Sequence, residues 1–362
     1  MNPYNDRYFR YQSPLKGNQI PERNVDKRKL WVYGSFAFSA IVLVIILFST
    51  FNEETFQYLK NFNSYFLCLA IGLRFLSFGL WAQRIKVLCL ALGHRVAFKT
   101  CYLAVIANLL VAAITPSSAG GEPIRIHELY KSGMKVGDAT AVVITERFLD
   151  AIILVILAVA ALLLMWDVIA ALGDVFVAVI FFSIGLLLFF DLLLILAGKY
   201  PVQVKIRLMN LLNWIFRKFP SQSVGRFISR TDEEYDHFTS GLASFAGCGK
   251  GGVFQGFIFS LLFWISEFGV ASIILMGLGL PPSLGNSMFA QIIIALVSMV
   301  PLTPGASGIA EISATSLYAL FVPTAILGVF ILLWRLIMFY LNVLLGLIGT
   351  ILIVKREVTS EK

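Results

Sequence analysis

The stretch Thr115-Pro-Ser-Ser-Ala-Gly-Gly-Glu122 ends one apolar run of the sequence, and Thr303-Pro-Gly-Ala-Ser-Gly-Ile-Ala-Glu311 ends a second one. Proline lacks an amide donor and glycine is conformationally free, so neither stretch continues a helix. A break at membrane depth is tolerated only where it is buried in protein or lines a cavity. The two stretches therefore predict re-entrant helical hairpins near residues 97–133 and 286–321, and both breaks become candidate sites.

The rest of the chain is typical of a helical membrane protein. Of its 362 residues, 58% are hydrophobic and only 14% are charged, whereas soluble domains average about 25% charged residues. Crossing a bilayer takes about 20 apolar residues. Runs of that length lie at 30–51, 62–83, 138–165, 170–197, 252–278 and 324–354. We expect an all-α, polytopic protein with about six full spans and two re-entrant hairpins.

Basic residues predict the orientation of the chain. The polar N-terminal segment 1–29 ends in a basic cluster, which favours a cytoplasmic N-terminus. If both hairpins return to the side from which they enter, the basic loop 199–250 and the tail 355–362 are cytoplasmic as well. Arg84, which follows the second apolar run, is then interpreted as a positive charge on the cytoplasmic side. We expect a multi-pass protein of the cytoplasmic membrane with both termini inside.

The two halves of the sequence repeat one pattern. Arg147 follows Pro116 at the same distance along the chain as Arg335 follows Pro304. We assign the first membrane repeat to residues 30–165, and the second to 166–354 together with its cytoplasmic loop 199–250. Each half has three spans, an odd number, so the halves have opposite orientations. Inverted repeats of this kind are frequent in transporters, where substrates bind near the midplane at broken helices.

Two arginines within predicted spans indicate an anion site. A charge at the centre of the bilayer costs at least about 2.5–3.5 kcal/mol, so two of them at equivalent positions call for a function. Each returning arm of a hairpin presents free N–H groups near the midplane, and a guanidinium binds phosphate bidentately. The predicted substrate-binding residues are Arg147, Arg335, Glu122, Glu311, Gly120, Gly121, Ser117, Ser118, Gly305, Ser307 and Gly308.

A network of further charges surrounds this set. Arg147 and Asp150 are spaced i, i+3 and can pair. The predicted network consists of Glu146, Asp150, Arg125, Glu267 and Arg74. A structural role stays open for the arginines. Arg147 can lock helices through its pair with Asp150, Arg335 can snorkel or pair with Glu311 or Glu267, and Arg74 can be structural as well. Arg125 can be an interfacial positive-inside charge. Glu122 and Glu311 can complement the dipoles of the returning arms or carry protons.

Several function classes lack sequence support. There is no GxSxG, Walker-type loop or metal-ligand spacing, so we expect no enzyme, cofactor or metal. The four cysteines follow no recognisable pattern. The net charge of +8 is explained by loops beside the membrane, so we expect no nucleic-acid partner. An amphipathic stretch near 202–215 is either a helix on the membrane surface or a plain connector.

The motifs resemble those of a known family. Gly120-Gly121-Glu122-Pro-Ile-Arg125-Ile-His-Glu-Leu129, followed by Glu146-Arg147-Phe-Leu-Asp150, resembles the first motif of the lysylphosphatidylglycerol synthase transmembrane-region family, also called flippase-like domain proteins. Pro304-Gly305-Ala-Ser-Gly308-Ile-Ala-Glu311 resembles the second motif, with Ala306 where a second glycine is expected. The resemblance covers nearly the whole chain after the polar N-terminus.

The resemblance implies a function for the membrane domain. In the multiple peptide resistance factors, a similar domain is implicated in flipping aminoacylated phosphatidylglycerol, and a separate cytosolic domain makes that lipid. This chain ends at Lys362, so we expect a stand-alone member without the synthase domain. The first expectation is a translocator of an anionic phospholipid or a polyprenyl-linked lipid. A lipid- or glycolipid-modifying transferase, an accessory subunit of one, and a non-transporting scaffold stay open.

The expected partners follow from these alternatives. Membrane lipids are the first, because a translocator must bind them. Lipid or glycolipid synthases and a second copy of the chain are further candidates.

Overall fold

A computed structural model describes residues 53–115, 120–170, 173–217, 222–282, 284–299, 303 and 305–360. Within these ranges every regular element is helical. The predicted first span 30–51, the segment 1–29 and the break residues Ser117 and Ser118 lie outside the described residues.

The helices follow one another through short connections. In chain order they are α1 Glu53–Lys60, α2 Ser64–Ala91, α3 Phe98–Ile114, α4 Glu122–Lys131, α5 Val136–Leu164, α6 Trp166–Ala170, α7 Asp174–Lys199, α8 Pro201–Phe216, α9 Gln222–Ala246, α10 Lys250–Gly277, α11 Leu284–Ser298, α12 Ile309–Tyr318, α13 Thr324–Arg335 and α14 Leu341–Ser360, with a π-helical turn Leu336–Tyr340 between the last two.

Five helical segments are long and apolar enough to cross a membrane. They are α2, α5, α7, α10 and the continuous stretch Thr324–Arg356. These segments match the predicted runs from 62–83 onwards, so the prediction of a polytopic helical membrane protein is confirmed. One boundary was wrong: α2 continues to Ala91, because the residues after position 83 still present a buried apolar face that includes Ile85 and Leu88.

Both predicted helix–break–helix units are present. The apolar helix α3 packs against the short returning helix α4, and α11 packs against α12 in the same way. α3 and α11 have 17 and 15 residues, so they are shorter than the five candidate spans. In each half, a long helix precedes the hairpin and another follows it. Re-entry into the bilayer and the opposite orientations of the halves stay predictions.

The two halves pack through equivalent elements. α2 of the first half lies along α10 of the second half. The first helix of each hairpin packs against the long helix that follows the other hairpin: α3 lies along α14, and α11 lies against α5. α3 and α14 are in backbone contact: a Cβ placed on Gly346 would lie 2.3 Å from the backbone nitrogen of Leu110. Small residues permit this approach between membrane helices. The first hairpin is thereby held by the last helix of the second half.

α8 and α9 form a helical pair at one end of the bundle. No described residue of α8 is buried, and Val202, Ile206 and Trp214 are exposed apolar residues. Lys205 of α8 pairs with Asp232 and Asp236 of α9 at 3.1 and 2.8 Å. α9 packs on the first turns of α5. Because this loop is rich in lysine and arginine, we call this end of the bundle the basic end.

Candidate functional site

The breaks of the two hairpins touch each other. The amide of Gly305 donates a hydrogen bond to the carbonyl oxygen of Thr115, with an N–O distance of 3.1 Å. The Thr115 hydroxyl also accepts a bond from the amide of Gly120 at 3.0 Å and donates one to the Val111 carbonyl at 2.8 Å. Thr115 therefore joins α3, the start of the returning arm and the second break. Sequence reasoning did not select Thr115, since threonine at the end of an apolar run is common.

Glycine at position 305 is required by this contact. A Cβ there would lie 2.7 Å from the Ala113 carbonyl oxygen and 2.6 Å from Cε2 of Phe339. Gly305, Ala306 and Gly308 all have positive φ, at 56°, 53° and 84°. Ala306 stands where a second glycine was expected, and it adopts the left-handed conformation at a cost of about 1–2 kcal/mol. The tight turn is therefore formed although position 306 is alanine and not glycine.

The small residues of the first break serve packing between α3 and α4. A Cβ on Gly121 would lie 1.9 Å from Oδ1 of Asn108, and one on Gly120 would lie 2.3 Å from Cγ2 of Thr115. Both glycines let the start of α4 lie directly against α3.

Glu146 is the centre of the first charged cluster, which consists of Arg84, Glu122, Arg125, Glu146, Arg147 and Asp150. The Glu146 carboxylate is fully buried. It accepts hydrogen bonds from Trp81 Nε1 at 2.8 Å, Arg84 Nε at 3.1 Å and Arg125 Nη1 at 2.8 Å. Three donors satisfy its charge in an interior that would otherwise penalise it.

Arg84 corrects a sequence interpretation. It was expected to be a positive charge on the cytoplasmic side. Arg84 instead belongs to α2, and its side chain is fully buried between helices. Arg84 donates to Asp150 Oδ1 at 2.5 Å and pairs with Glu146 at 3.0 Å. The helical spacing of Trp81, Arg84 and Leu88 on one buried face is the sequence signal that could have found it.

Arg147 is the accessible cation of this cluster. Its side chain is 41% exposed, and its Nε lies 3.0 Å from Glu122 Oε1. The predicted i, i+3 pair with Asp150 is present at the longer distance of 3.8 Å. The guanidinium lies 5.9 Å from the centre of the Trp81 ring, which also faces Arg84 and Arg125. Trp81 was not selected from the sequence.

Arg335 lies in a second, more tightly closed cluster. Its Nε donates to Glu311 Oε1 at 2.7 Å, and the other oxygen of Glu311 accepts from the amide of Gly308 at 2.6 Å. Arg335 is only 5% exposed and stacks at 4.4 Å on Phe339. Glu311 therefore complements the N-terminus of α12, as the structural alternative proposed. Ser307 is buried beside it.

Arg74 and Glu267 form a third pair between α2 and α10. Arg74 Nη1 contacts Glu267 directly, and its Nη2 donates to Asn342 Oδ1 at 3.0 Å. The guanidinium lies 4.4 Å from the Phe78 ring. This pair links equivalent helices of the two halves.

A cavity of about 1100 Å³ joins the three sets of charges. Of the predicted residues, those that line it are Arg147, Arg335, Glu122, Gly305, Asp150, Arg74 and Glu267. Among the other described members of the prediction, none lines it: Gly120, Gly121, Ser307, Gly308, Glu311, Arg125 and Glu146 lie behind its wall. The cavity is thus larger than typical small-molecule sites of about 300–1,000 Å³.

The cavity extends to the basic end of the bundle. One wall is a face of α7 in which Leu187, Phe190 and Leu194 surround one carboxylate, Asp191. The far end is lined by Tyr235 and Phe238 of α9. Tyr235 lies outside the spans, and its burial raises the pKa of its hydroxyl above the ordinary value. The hydroxyl therefore stays protonated and donates to the carbonyl of Pro201.

Unpaired polar atoms concentrate at the cavity. Buried polar groups in proteins are nearly always hydrogen-bonded. Among the described residues that line the cavity, the buried atoms Asn108 Oδ1, Glu122 Oε2 and Trp334 Nε1 have no hydrogen-bond partner. Arg147 Nε and Arg335 Nη2 also form no hydrogen bond, but they lie in ion pairs with Glu122 and Glu311. Such atoms are suited to bind a polar ligand or water. Among the described residues, no group of three or more His, Cys, Asp or Glu side chains is placed to hold a metal ion.

Comparisons with known proteins match nearly the whole chain. The family model described as Lysylphosphatidylglycerol synthase TM region matches residues 32–346. A UPF0104 membrane protein of Archaeoglobus fulgidus is 34% identical over 314 residues, which cover 86% of this chain and 93% of that protein. A UPF0104 membrane protein of Methanothermobacter thermautotrophicus is 25% identical over 77% of this chain and 81% of its own length. One of Pyrococcus horikoshii is 23% identical over 84% and 92%.

Proposed function

Since the chain belongs to the Lysylphosphatidylglycerol synthase TM region family, we propose that it moves an anionic, phosphate-bearing lipid or lipid-linked substrate across the cytoplasmic membrane. The proposal concerns transport and includes no catalytic step. Membrane lipids are its proposed partners.

The accessible guanidinium of Arg147 carries this proposal. The other arginines of the first charged cluster are fully buried and bound to carboxylates, whereas Arg147 is 41% exposed and lines the cavity. A guanidinium binds phosphate through two parallel hydrogen bonds. Inside a largely apolar cavity, such a cation attracts an anionic headgroup more strongly than it would in water.

The apolar walls of the cavity favour an amphiphile over a small soluble anion. The face of α7 that includes Leu187, Phe190 and Leu194 can hold acyl or prenyl chains, while Arg147 holds the headgroup. A small soluble anion would leave this apolar surface uncovered, whereas hydrocarbon chains would bury it. The opening towards the basic end is where a lipid of the inner leaflet would enter under the predicted topology.

The contact between the two breaks suggests how access could alternate. Among the described residues of the two breaks, one backbone hydrogen bond, between Thr115 and Gly305, joins them beside the cavity. Rocking of one half against the other would part this bond and expose the headgroup to the opposite side, as in other transporters with inverted repeats.

The first experiment compares the lipids that co-purify with wild-type protein and with Arg147→Ala. We expect mass spectrometry to find one anionic lipid enriched over the bulk membrane with wild type, and no enrichment with Arg147→Ala. Arg207→Ala removes an exposed arginine of α8 and is the matched control, for which the enrichment should persist. Equal lipid profiles for wild type and Arg147→Ala would count against the headgroup site.

The enriched lipid is then tested for movement in sealed vesicles. A fluorescent-tail derivative should change leaflets with wild type and with Arg207→Ala, and stay in place with folded Arg147→Ala. Normal movement with Arg147→Ala would overturn the site. Chemical conversion of the lipid in detergent, where no sealed membrane exists, would instead support the transferase alternative.

A further inference from the structure

Glu122 is the most loosely held carboxylate of the first charged cluster. Glu146 receives three hydrogen bonds, Asp150 receives bonds from Arg84 and Trp264, and Glu311 receives bonds from Arg335 and a backbone amide. Glu122 receives a single long one, 3.4 Å from Arg125 Nη2. Its Oε2 has no hydrogen-bond partner among the described residues. Glu122 is therefore held in its present position mainly by its ion pairs with Arg125 and Arg147.

Glu122 occupies the place that a phosphate would take on Arg147. Its Oε1 lies 3.0 Å from Arg147 Nε, although the two atoms form no hydrogen bond. Both side chains line the cavity. Glu122 also lies in the first turn of α4, where free N–H groups and the helix dipole attract any anion. A headgroup can bind at Nε of the guanidinium only after this carboxylate moves.

Displacement of Glu122 leaves the other cations of the cluster paired. Arg125 keeps Glu146 at 2.8 Å, and Arg84 keeps both Glu146 and Asp150. Loss of Glu146 or Asp150 would instead strip the fully buried Arg84 of a counter-charge, which buried arginines tolerate poorly. Glu122 is therefore the one carboxylate of this cluster that can be displaced without leaving a buried arginine unpaired.

We propose that Glu122 is an internal counter-anion of Arg147 and that the substrate's phosphate displaces it on binding. This inference rests on the proposed function, because it concerns the same headgroup site. It also narrows the substrate class. Only an amphiphile whose anion binds a guanidinium more strongly than a carboxylate can enter, and phosphate, with its extra acceptor oxygens, meets that condition. Neutral headgroups are excluded.

Binding of dodecyl phosphate to the purified protein in a neutral maltoside detergent tests the displacement. Glu122→Gln keeps the shape of the side chain and removes the competing charge, so the dissociation constant measured by calorimetry should fall by about tenfold. Arg147→Gln should abolish saturable binding. Glu128→Gln is the matched control, since Glu128 is a buried carboxylate on the same helix that pairs with Arg356 away from the cavity. The Glu128→Gln variant should bind dodecyl phosphate with the same affinity as wild type.

The outcomes separate this inference from the proposed function. Unchanged or weaker binding by Glu122→Gln, with binding lost in Arg147→Gln, would overturn the displacement and keep the headgroup site. Wild-type binding by Arg147→Gln, or no saturable binding by wild type and Glu122→Gln alike, would overturn the site itself. Inorganic phosphate is the second probe. If it binds with the same affinity as dodecyl phosphate, the ligand of the site is a free anion and not a lipid headgroup. If Glu122→Gln does not fold, Glu122→Ala carries the same expectation.

Discussion

Arg147 and Arg335 occupy equivalent places in the two halves, yet their environments differ. Arg147 is 41% exposed and faces the loosely held Glu122, whereas Arg335 is 5% exposed and bound to Glu311. The difference arises because Glu311 reaches the amide of Gly308 and is fixed there as a cap of α12. One arginine is thus available to a ligand, and the other holds a hairpin in place.

This difference predicts unequal effects on stability. Arg335→Ala removes the guanidinium that pairs with fully buried Glu311, and breaking a buried pair costs about 3–5 kcal/mol. Arg147→Ala should cost no more than about 1 kcal/mol, because exposed ion pairs contribute little and its carboxylates keep other cations. Thermal unfolding in detergent measures both. Equal losses of stability would show that the two arginines are held alike.

At the scale of elements, the hairpins are organised by close backbone contacts. Each break is short, and the two meet through Thr115 and Gly305. Residue 305 has a positive φ and lies close to the Ala113 carbonyl oxygen, and glycine is suited to both conditions. The second break is therefore built against the first, and neither hairpin is independent of the other.

Gly305→Ala should destabilise the protein. The added methyl group would lie 2.6 Å from Phe339 and 2.7 Å from the Ala113 carbonyl, and such overpacking costs about 1–3 kcal/mol in addition to backbone strain. Gly285→Ala is the control, because its Cβ would meet no atom within 4 Å. Unfolding midpoints compare the two. An unchanged midpoint for Gly305→Ala would contradict the contact between the breaks.

At the scale of the whole molecule, the cavity joins the charged clusters to the basic end. It is walled by α5, α7 and α9, and it includes Thr140 near the start of α5. Under the predicted topology this end is cytoplasmic, so the cavity extends towards the inside.

Cysteine labelling tests that orientation. In a background where the exposed Cys68 and Cys248 are replaced by serine, Thr140→Cys should react with a membrane-impermeant maleimide in inside-out vesicles. Pro282→Cys, at the exposed connection between α10 and α11, should react only in right-side-out vesicles. The opposite pattern would reverse the predicted topology and the direction in which the cavity opens.

The sequence alone was sufficient for the helical plan. Apolar runs of membrane length and Pro/Gly breaks are local properties of the chain. The five helical segments that are long and apolar enough to cross a membrane, and both helix–break–helix units, could therefore be predicted from them. The motifs around Gly120 and Arg147 likewise indicated the family that the comparisons found. The charged residues within the apolar runs could also be recognised in the sequence, because the residues around them are apolar.

The pairing of those charges was decided only by tertiary structure. Arg84 looked like a loop charge until the packing of α2 against α5 placed it between Glu146 and Asp150. The sequence also did not predict the hydrogen bond between Thr115 and Gly305. Nor did it predict that Arg147 is exposed while Arg335 is buried. The physical reason is that contacts between helices depend on how each helix is rotated and crossed in the bundle, which is set by the packing of many distant residues together.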